Sequence, residues 1–471
     1  MAPASTSSPY TWLRWLVFGL ILGALGTGYV QLAEKDILSI SERQLSPLET
    51  RHLSLAEATA EDLRPDFRES VSAPLKKLAP HRTDGLIQPL SPWLAAWMLD
   101  PDHPKESLAY ITWFRTGLTA SCLILLGLAC MRFFALPATL LVVTLTGFHG
   151  WAETLSHFTG ATLFQLFFLL TWLGCVYGLQ RNSLWVYGAV GVFGGLAYLS
   201  QDRILPLLVT FILVTSLRAF WGWLSAHWRL GEGTTLWLRD NHLFGLILLV
   251  AAFCAVSGPR LTEAHQKFGD AAFQYVDHIR WLDTPAEGDA WIEAHPDRSS
   301  LKKVPALERP TARLYFQSHA SEQVQGRLLS GLGRVMTQWQ GHGGEALAVL
   351  LVLLIVTVLA CWCSTPRACH AGERLHPETA TAVIFVVAAT AAYLIIAAWD
   401  SALVEIRYLH ALTGPLALSL LWGYESVLRR ARRRGAGPML TGGYQAVLWV
   451  LLGATWFQIW QTHPEALPSL P

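Results

Sequence analysis

The sequence predicts an all-α polytopic membrane protein with about eleven transmembrane helices and two long extracytoplasmic loops. Of its 471 residues, 52% are hydrophobic and only 15% are charged, whereas a soluble domain carries about 25% charged residues. Its apolar residues gather in charge-poor runs, which must be helical in lipid because no water satisfies an open backbone there. The net charge of +1 provides no basic field for binding nucleic acid.

Apolar runs of about 17–25 residues set the predicted spans. The eighth and ninth are the clearest, because residues 346–366 and 379–399 contain no Asp, Glu, Lys or Arg, whereas Arg218 interrupts the sixth. Gly191, Gly194 and Gly195 in the fifth are expected to allow close helix packing. The predicted spans are residues 12–33, 107–131, 133–150, 158–180, 184–201, 204–226, 241–258, 346–365, 379–398, 408–427 and 441–460.

Positive charges in the short loops predict the orientation. Five arginines follow the tenth span and place that loop, and by counting also the N-terminus, in the cytoplasm: Arg429, Arg430, Arg432, Arg433 and Arg434. The polar segments 34–106 and 259–345 then lie outside, where Leu45–Leu63 and Ala264–Trp281 are expected to form amphipathic surface helices. We expect an integral protein of the plasma (inner) membrane with a periplasmic or extracellular active face.

This topology divides the chain into three parts. Residues 1–258 form a transmembrane module with spans one to seven, residues 259–345 form an extracytoplasmic loop, and residues 346–471 carry spans eight to eleven. The two long outer segments contain no cysteine, so no disulfide scaffold is expected. The spacing of Cys361, Cys363 and Cys369 fits no standard zinc site, so we predict no metal site from these thiols.

Ionisable residues at the membrane edge are the candidates for function, because they are costly to place there. On the predicted outer face they come from four loops: Glu49, Arg51, His52, Glu153, His157, Asp202, Arg203, Asp400, Glu405 and Arg407. Converging carboxylates and arginines there suit an anionic lipid head group, although any single one is equally a solvated loop charge. Arg115, inside the second span, either extends to the membrane surface or pairs with a first-loop carboxylate.

Five short motifs occur along the chain in a defined order. They are Ser46–His52, Gln88–Leu94, Arg115, Gly194–Ser200 and Arg407–Leu409. In order, spacing and sidedness they resemble the GT-C superfamily of polyprenyl-phosphate-sugar-dependent glycosyltransferases, and within it the protein mannosyltransferase and aminoarabinose transferase type. The resemblance covers roughly residues 12–425, and it rests on the ordered set more than on any one motif.

The resemblance implies transfer of a sugar from a polyprenyl-phosphate donor to a glycan, lipid or protein acceptor on the outer face. It implies Glu49 as the general base and Arg51, Arg203 and Arg407 as phosphate-binding residues. The remaining substrate-binding residues that it implies are His52, Arg115, Glu153 and Tyr408. Some relatives use a divalent cation, for which Glu153 and His157 are the nearby ligands here.

Three departures from the family pattern keep other functions open. The acidic residue that the family usually has at the start of the fourth span is missing from Ser156–Gly160, and Glu153 lies upstream of it. Leu48 stands where the family has its aspartate base, with Glu49 beside it, and Gln201 stands where the family has a lysine. The alternative is therefore a catalytically inactive GT-C-like subunit or scaffold that works with protein partners. A second alternative is a transporter of a lipid-linked sugar.

Overall fold

A computed structural model of the protein shows helices joined by turns and short loops, with no strand in the part of the chain that it describes. The predicted all-α fold class is therefore confirmed. The described residues are 11–42, 45–63, 80–100, 103–151, 158–181, 183–230, 241–296, 298–305, 308–364, 377–401, 407–433 and 438–462.

The helices are numbered here in chain order. They are α1 (Thr11–Glu42), α2 (Pro47–Leu63), α3 (Leu90–Ala96), α4 (Pro104–Phe133), α5 (Leu136–Thr144), α6 (Ala161–Arg181), α7 (Leu184–Ser200), α8 (Leu205–Leu230), α9 (Asn241–Phe268), α10 (Val276–Ile279), α11 (Pro285–Ala294), α12 (Arg298–Lys303), α13 (Ala312–Ser318), α14 (Ser321–Trp339), α15 (Glu345–Ser364), α16 (Pro377–Asp400), α17 (Thr413–Arg433) and α18 (Pro438–Thr462). Two π-helical segments, Leu145–Trp151 and Gln340–Gly344, continue α5 and α14.

Several helices are long and apolar enough to cross a membrane. By length and composition this is therefore a helical membrane protein. Within the described residues there are six: Trp12–Gln31, Glu106–Phe133, Ala161–Arg181, Asp202–Leu224, His242–Phe268 and Glu378–Asp400. Three further apolar helices are shorter: Leu136–Trp151, Leu184–Ser200 and Glu345–Val358. Large apolar side chains are exposed along these helices, as expected of surfaces that face lipid.

The predicted count of eleven spans is not reproduced by these six helices. The third, fifth and eighth predicted spans are apolar helices, but the parts of these helices with described side chains are shorter than a full membrane crossing. The tenth and eleventh coincide with α17 and α18, which are helices of sufficient length. Polar residues lower their hydropathy, among them Glu425 and Arg429 in α17 and Gln445 and Gln458 in α18.

Glycines allow α7 and α9 to pack with their backbones close together. A Cβ atom on Gly191 would lie 2.3 Å from the Leu249 carbonyl oxygen, and one on Gly195 would lie 2.8 Å from the Val256 Cβ atom. Any larger side chain would separate the two helices at these positions. The close packing expected from these glycines is confirmed.

An aromatic core joins α6, α8 and α16. The rings of Phe168 and Tyr393 have centroids 5.4 Å apart, and Phe385 lies 5.5 Å from Trp172 and 5.7 Å from Phe211. All five side chains are buried. Edge and tilted ring contacts of this kind add to the stabilisation from burial, and they fix the three helices whose ends carry the charged residues discussed below.

The two amphipathic stretches expected on the surface differ in outcome. Leu45–Leu63 corresponds to α2 and is confirmed as a helix. Ala264–Trp281 contains parts of two helices: α9 continues past Pro259 to Phe268 and stops at Gly269, whose φ of +84° ends the helix, and the short α10 follows. The chain then forms a compact run of short helices, α10 to α13, which we call the α9–α14 segment (residues 269–320).

The α9–α14 segment has a small hydrophobic core of its own. It is formed by Phe268, Phe273, Tyr275, Ile279 and Leu301. The rings of Phe268 and Phe273 stack with centroids 4.4 Å apart. Burial of these side chains gives the segment a defined shape beside the helical bundle.

Candidate functional site

Glu49 links the start of α2 to the chain that enters α6. Its Oε2 atom accepts a hydrogen bond from the Ser46 backbone N–H (2.8 Å), while the Ser46 Oγ atom accepts one from the Glu49 N–H (3.3 Å). This reciprocal pair is a capping box. The Oε1 atom accepts a hydrogen bond from the backbone N–H of Phe158 at 3.0 Å. The carboxylate is buried, and both of its oxygens accept backbone hydrogen bonds.

His52 is buried one helical turn further along α2. Its ring lies edge-on to Phe158, with centroids 6.0 Å apart, and its Nδ1 atom has no hydrogen-bond partner among the described residues. Burial, and secondarily the positive charge of Arg115, lowers the pKa of His52 to about 4, against an opposing effect of Glu49. The imidazole is therefore neutral at neutral pH.

Arg115 extends from α4 into the same region. Its Nη2 atom donates a 2.7 Å hydrogen bond to the Thr162 Oγ1 atom in the first turn of α6. The side chain is buried, so it is directed into the protein. Together Glu49, His52, Arg115 and Thr162 form what we call the first-loop group, and they bring α2, α4 and α6 to one point.

A second cluster of charges surrounds Arg203, which follows α7. Its Nη1 atom donates to the Asp400 Oδ2 atom at 2.5 Å, and its Nε atom lies 3.8 Å from the Asp202 carboxylate. The guanidinium also lies over the ring of Tyr408, 4.9 Å from its centroid. The side chains of Arg203 and Asp400 are 8% and 1% exposed. Arg203 is thus already paired, and a phosphate would have to compete with Asp400 for it.

Arg280, at the end of α10, brings a second cation to this cluster. Its Nε atom lies 4.0 Å from the Asp400 Oδ1 atom, and its Nη2 atom lies 3.5 Å from the Asp277 carboxylate. Its backbone carbonyl accepts hydrogen bonds from the Trp399 Nε1 atom and the Arg327 Nη2 atom, both at 3.0 Å. With 22% of its side chain exposed and only long ion-pair distances, Arg280 is the more available cation of the two.

The cluster of Asp202, Arg203, Asp277, Arg280 and Asp400 is called here the arginine–aspartate group. Its three carboxylates outnumber its two guanidinium groups. Asp277 is the most exposed of its ion-paired carboxylates, with 55% of its side chain exposed. The neighbouring protein nevertheless removes part of the water around this carboxylate. That partial desolvation raises the pKa of Asp277 more than Arg280 lowers it. In the part of the chain that the structure describes, the buried hydroxyl of Tyr408 beside the group has no hydrogen-bond partner.

The two groups adjoin each other through Gly160 and Ser200. A Cβ atom on Gly160 would lie 2.6 Å from the Ser200 carbonyl oxygen and 3.6 Å from the Ser91 Cβ atom. Gly160 lies two residues after Phe158, and Ser200 lies two residues before Asp202. The absence of a side chain at Gly160 therefore lets the first-loop group, α3 and the arginine–aspartate group share one end of the bundle.

Arg260 holds the remaining motif in place and was missed by the sequence analysis. It is fully buried in α9, where its Nε atom donates to the Gln88 Oε1 atom at 3.1 Å. Its Nη1 and Nη2 atoms donate to the carbonyl oxygens of Ala271 and Phe273, both at 2.9 Å, and it lies over the ring of Tyr198. The only sequence signal for it was an arginine directly after an apolar run and Pro259.

The structure thus brings Glu49, His52 and Arg115 together, and places Arg203 and Tyr408 in contact in the adjoining group. Arg51 is exposed on α2, and no hydrogen bond or ion pair joins its side chain to either group among the described residues. Glu153 and His157, and the side chain of Arg407, lie outside the described residues. Arg280 was not among the predicted site residues, because the candidates were sought at the membrane edge and Arg280 lies inside the outer segment 259–345.

No group of three or more His, Cys, Asp or Glu side chains converges as a metal site within the described part of the chain. In the arginine–aspartate group the carboxylates of Asp202 and Asp400 face Arg203, an arrangement that suits an ion-pair network and does not fit a divalent cation. Cys361 and Cys363 lie in α15, but the structure does not describe their side chains. Cys369 lies outside the described residues.

Comparison with known proteins identifies no relative: no protein-family model, curated protein or solved structure matches the chain.

Proposed function

We propose that this protein is a membrane glycosyltransferase that moves a sugar from a polyprenyl-phosphate donor to an acceptor on the extracytoplasmic face. The observation that carries the proposal is the meeting of motifs that lie far apart in the sequence. Glu49, Arg115, Ser200 and Tyr408 belong to four of the five motifs that resemble the GT-C superfamily, and all contribute to the two adjoining groups. Gln88 belongs to the remaining motif, and it accepts a hydrogen bond from Arg260.

The reaction requires a carboxylate for the acceptor and a cation for the leaving phosphate. The acceptor hydroxyl oxygen bonds to the anomeric carbon, the bond from that carbon to the phosphate oxygen breaks, and the hydroxyl proton passes to the carboxylate. The polyprenyl phosphate departs with the bonding electrons. Arg280 is the cation best placed to bind it, because Arg203 is closely paired with Asp400.

Two carboxylates compete for the role of base. Glu49 occupies the position next to the family's aspartate, but both its oxygens accept backbone hydrogen bonds, so the turn at Ser46 must open before it reaches an acceptor. Asp277 has solvent access and lies 3.5 Å from Arg280. Its raised pKa also suits proton acceptance. We therefore assign the base to Asp277 and the anchoring of α2 to Glu49.

The finer topology belongs to the same proposal. Eleven crossings, with a cytoplasmic N-terminus in the plasma (inner) membrane, place both groups on the periplasmic or extracellular side. The arginine run after the tenth predicted span supports this orientation through the positive-inside rule. The acceptor then approaches from outside, and the donor's prenyl chain lies in the bilayer.

The second candidate function is a GT-C-like subunit without catalytic activity. Two observations favour it: Leu48, in place of the family's aspartate, is 42% exposed, and Glu49 next to it is used as a helix cap. In such a subunit the arginine–aspartate group stabilises the bundle, and the exposed surfaces of the α9–α14 segment bind protein partners.

Lipid retention tests the proposal. The full-length protein is purified in nanodiscs, and the bound lipids are extracted and identified by mass spectrometry. We expect a polyprenyl phosphate, or its sugar conjugate, that is lost in Arg280→Ala and kept in Arg313→Ala, a control at an exposed arginine on α13. Equal retention in both variants, or no such lipid in the wild type, contradicts a donor site at Arg280.

A further inference from the structure

The α9–α14 segment contains a cavity that neither group uses. It is a depression open to solvent with a volume of about 450 Å³, and it is lined by residues of α11 and α12 together with Val304, Pro305 and Glu308. This volume is within the range of about 300–1,000 Å³ that is typical of small-molecule sites. Its lining combines one aromatic pair, Trp291 and His295, with the polar side chains of Ser300, Lys303 and Glu308.

The cavity is formed by an ordered framework. The rings of Trp291 and His295 lie with centroids 4.0 Å apart, and the His295 Nδ1 atom lies 2.9 Å from the Trp291 carbonyl oxygen. The Tyr275 hydroxyl donates to the His295 carbonyl oxygen, and the Arg309 Nη2 atom donates to the Leu301 carbonyl oxygen at 2.8 Å. Tyr275 and Leu301 belong to the segment's hydrophobic core, so the walls are held before any ligand arrives.

The chemistry of the walls favours a neutral sugar ring. The accessible part of the Trp291–His295 pair is an aromatic surface, of the kind that packs against the C–H face of a pyranose as it does against other apolar surfaces. Ser300, Lys303 and Glu308 together supply hydrogen-bond donors and acceptors for hydroxyl groups. Lys303 and Glu308 carry opposite charges, so the two side chains together have no net charge. The cavity therefore favours neither an anion nor a cation.

We propose that this cavity binds a hexose unit of a glycan acceptor. The inference rests on the proposed function, since it names the acceptor class for the same transfer. The cavity is also close to the arginine–aspartate group: the ring of His278 lies 5.9 Å from that of Trp291, and His278 directly follows Asp277 in α10. On this proposal, a glycan held there by one hexose extends its neighbouring sugar toward the segment of the chain that carries Asp277.

Direct binding of a disaccharide tests the inference. The full-length protein is placed in nanodiscs, because detergents with sugar head groups would compete for the cavity. Mannobiose is titrated and followed by saturation-transfer NMR, with myo-inositol and inorganic phosphate as comparison ligands. We expect mannobiose to bind and both comparison ligands to bind at least about tenfold more weakly, since neither offers a ring face with a linked second sugar.

Variants locate the binding to the cavity. Trp291→Ala is expected to weaken mannobiose binding about tenfold through loss of the aromatic wall. Since Trp291 packs against the segment's core, Glu308→Gln at an exposed position serves as the second variant, with an expected loss of about threefold to tenfold. The matched controls are Trp185→Ala, an 89% exposed tryptophan on α7, and Glu322→Gln, an exposed glutamate on α14. Neither control should change the affinity.

The outcomes separate this inference from the proposed function. Retention of a polyprenyl phosphate without mannobiose binding would overturn the inference and leave the donor site in place. Mannobiose binding that depends on Trp291 and Glu308, in a protein that retains no donor lipid, would support the cavity and contradict the glycosyltransferase. Preferential binding of inorganic phosphate, or equal loss in the control variants, would overturn a sugar site in this cavity.

Discussion

Arg203 and Asp400 form a buried ion pair of 2.5 Å between residues that are 197 positions apart in the chain. The pair joins the start of α8 to the end of α16. The backbone of Arg203 is also held, because its carbonyl oxygen accepts a 2.5 Å hydrogen bond from the Tyr393 hydroxyl of α16. Because Asp400 neutralises Arg203, the arginine most exposed to an incoming anion is Arg280. This relationship shifts the candidate phosphate site from the end of α7 toward the α9–α14 segment.

Removal of one partner of this pair should destabilise the protein. Asp400→Asn removes the closest counter-ion of the buried Arg203 and leaves only the Asp202 carboxylate, at 3.8 Å, beside it. Loss of one partner of a buried ion pair typically costs about 3–5 kcal/mol in the free energy of unfolding. The double variant Arg203→Met with Asp400→Asn should cost less than the sum of the single changes, because each single change breaks the same ion pair and the double variant loses it only once. Thermal unfolding in detergent measures both, with Asp289→Asn at an exposed position on α11 as the control. Strictly additive effects would contradict the pair.

His52 should make the stability of the protein sensitive to acid. Its pKa is about 4 in the folded protein against an ordinary value of 6.5, so the unfolded state binds the proton first as the pH falls. The free energy of unfolding should therefore decrease from pH 6.5 toward pH 4, by about 3 kcal/mol in total. His52→Phe keeps a ring against Phe158 and should flatten this dependence of the unfolding temperature. The exposed His265→Phe should not, and equal curves for His52→Phe and the wild type would refute the assignment.

Two glycines of α14 provide a matched test of the crossing between α14 and α16. A Cβ atom on Gly331 would lie 1.8 Å from the Ala398 carbonyl oxygen, whereas one on Gly333 meets nothing within 4 Å. Gly331→Ala should lower the free energy of unfolding by about 1–3 kcal/mol through overpacking. Gly333→Ala should leave it unchanged or raise it by up to about 1 kcal/mol through helix propensity. The same unfolding temperature for both variants would mean that α14 does not cross α16 at this point.

Paired substitutions decide which carboxylate is the base. Asp277→Asn should lower the rate of sugar transfer by about 10²–10⁴-fold, the usual effect of losing a general base. Glu49→Gln should act mainly on stability, by about 1–3 kcal/mol, because the single amide oxygen can accept from only one of the Ser46 and Phe158 N–H groups, and the NH₂ group cannot accept from the other. Transfer rate and unfolding temperature are measured on the same preparations. The reverse pattern would return the role of base to Glu49.

The sequence was sufficient for the helices and for part of the site. Charge-poor runs predicted where helices lie, and the position of Glu49 and Arg115 in separate motifs predicted that they share one end of the bundle. Span count was harder, because α17 and α18 have the length of a crossing but carry polar residues. The seventh predicted span ends at residue 258, yet α9 continues through Pro259 to Phe268 and stops at Gly269 because of the backbone conformation there.

The contacts of Arg260 and Arg280 were beyond reach of sequence patterns. Arg260 binds Gln88 across 172 positions, and Arg280 meets Asp400 only because Trp399 and Arg327 hold its backbone. No periodicity or residue spacing in the sequence indicates either of these two pairings. The pairing of Arg203 with Asp400 had the same origin, which is why Arg203 was expected to be available to a phosphate.

Donor turnover tests the proposed glycosyltransferase activity most directly. The purified protein is reconstituted in liposomes with a polyprenyl-phosphate-linked sugar extracted from membranes of the source cells, and released polyprenyl phosphate is measured by mass spectrometry in the presence of an oligosaccharide acceptor. We expect release by the wild type and by Arg313→Ala, with loss in Asp277→Asn and Arg280→Ala preparations that remain folded. No release by the wild type, together with stoichiometric co-purification of other proteins, would contradict this activity and favour the inactive subunit.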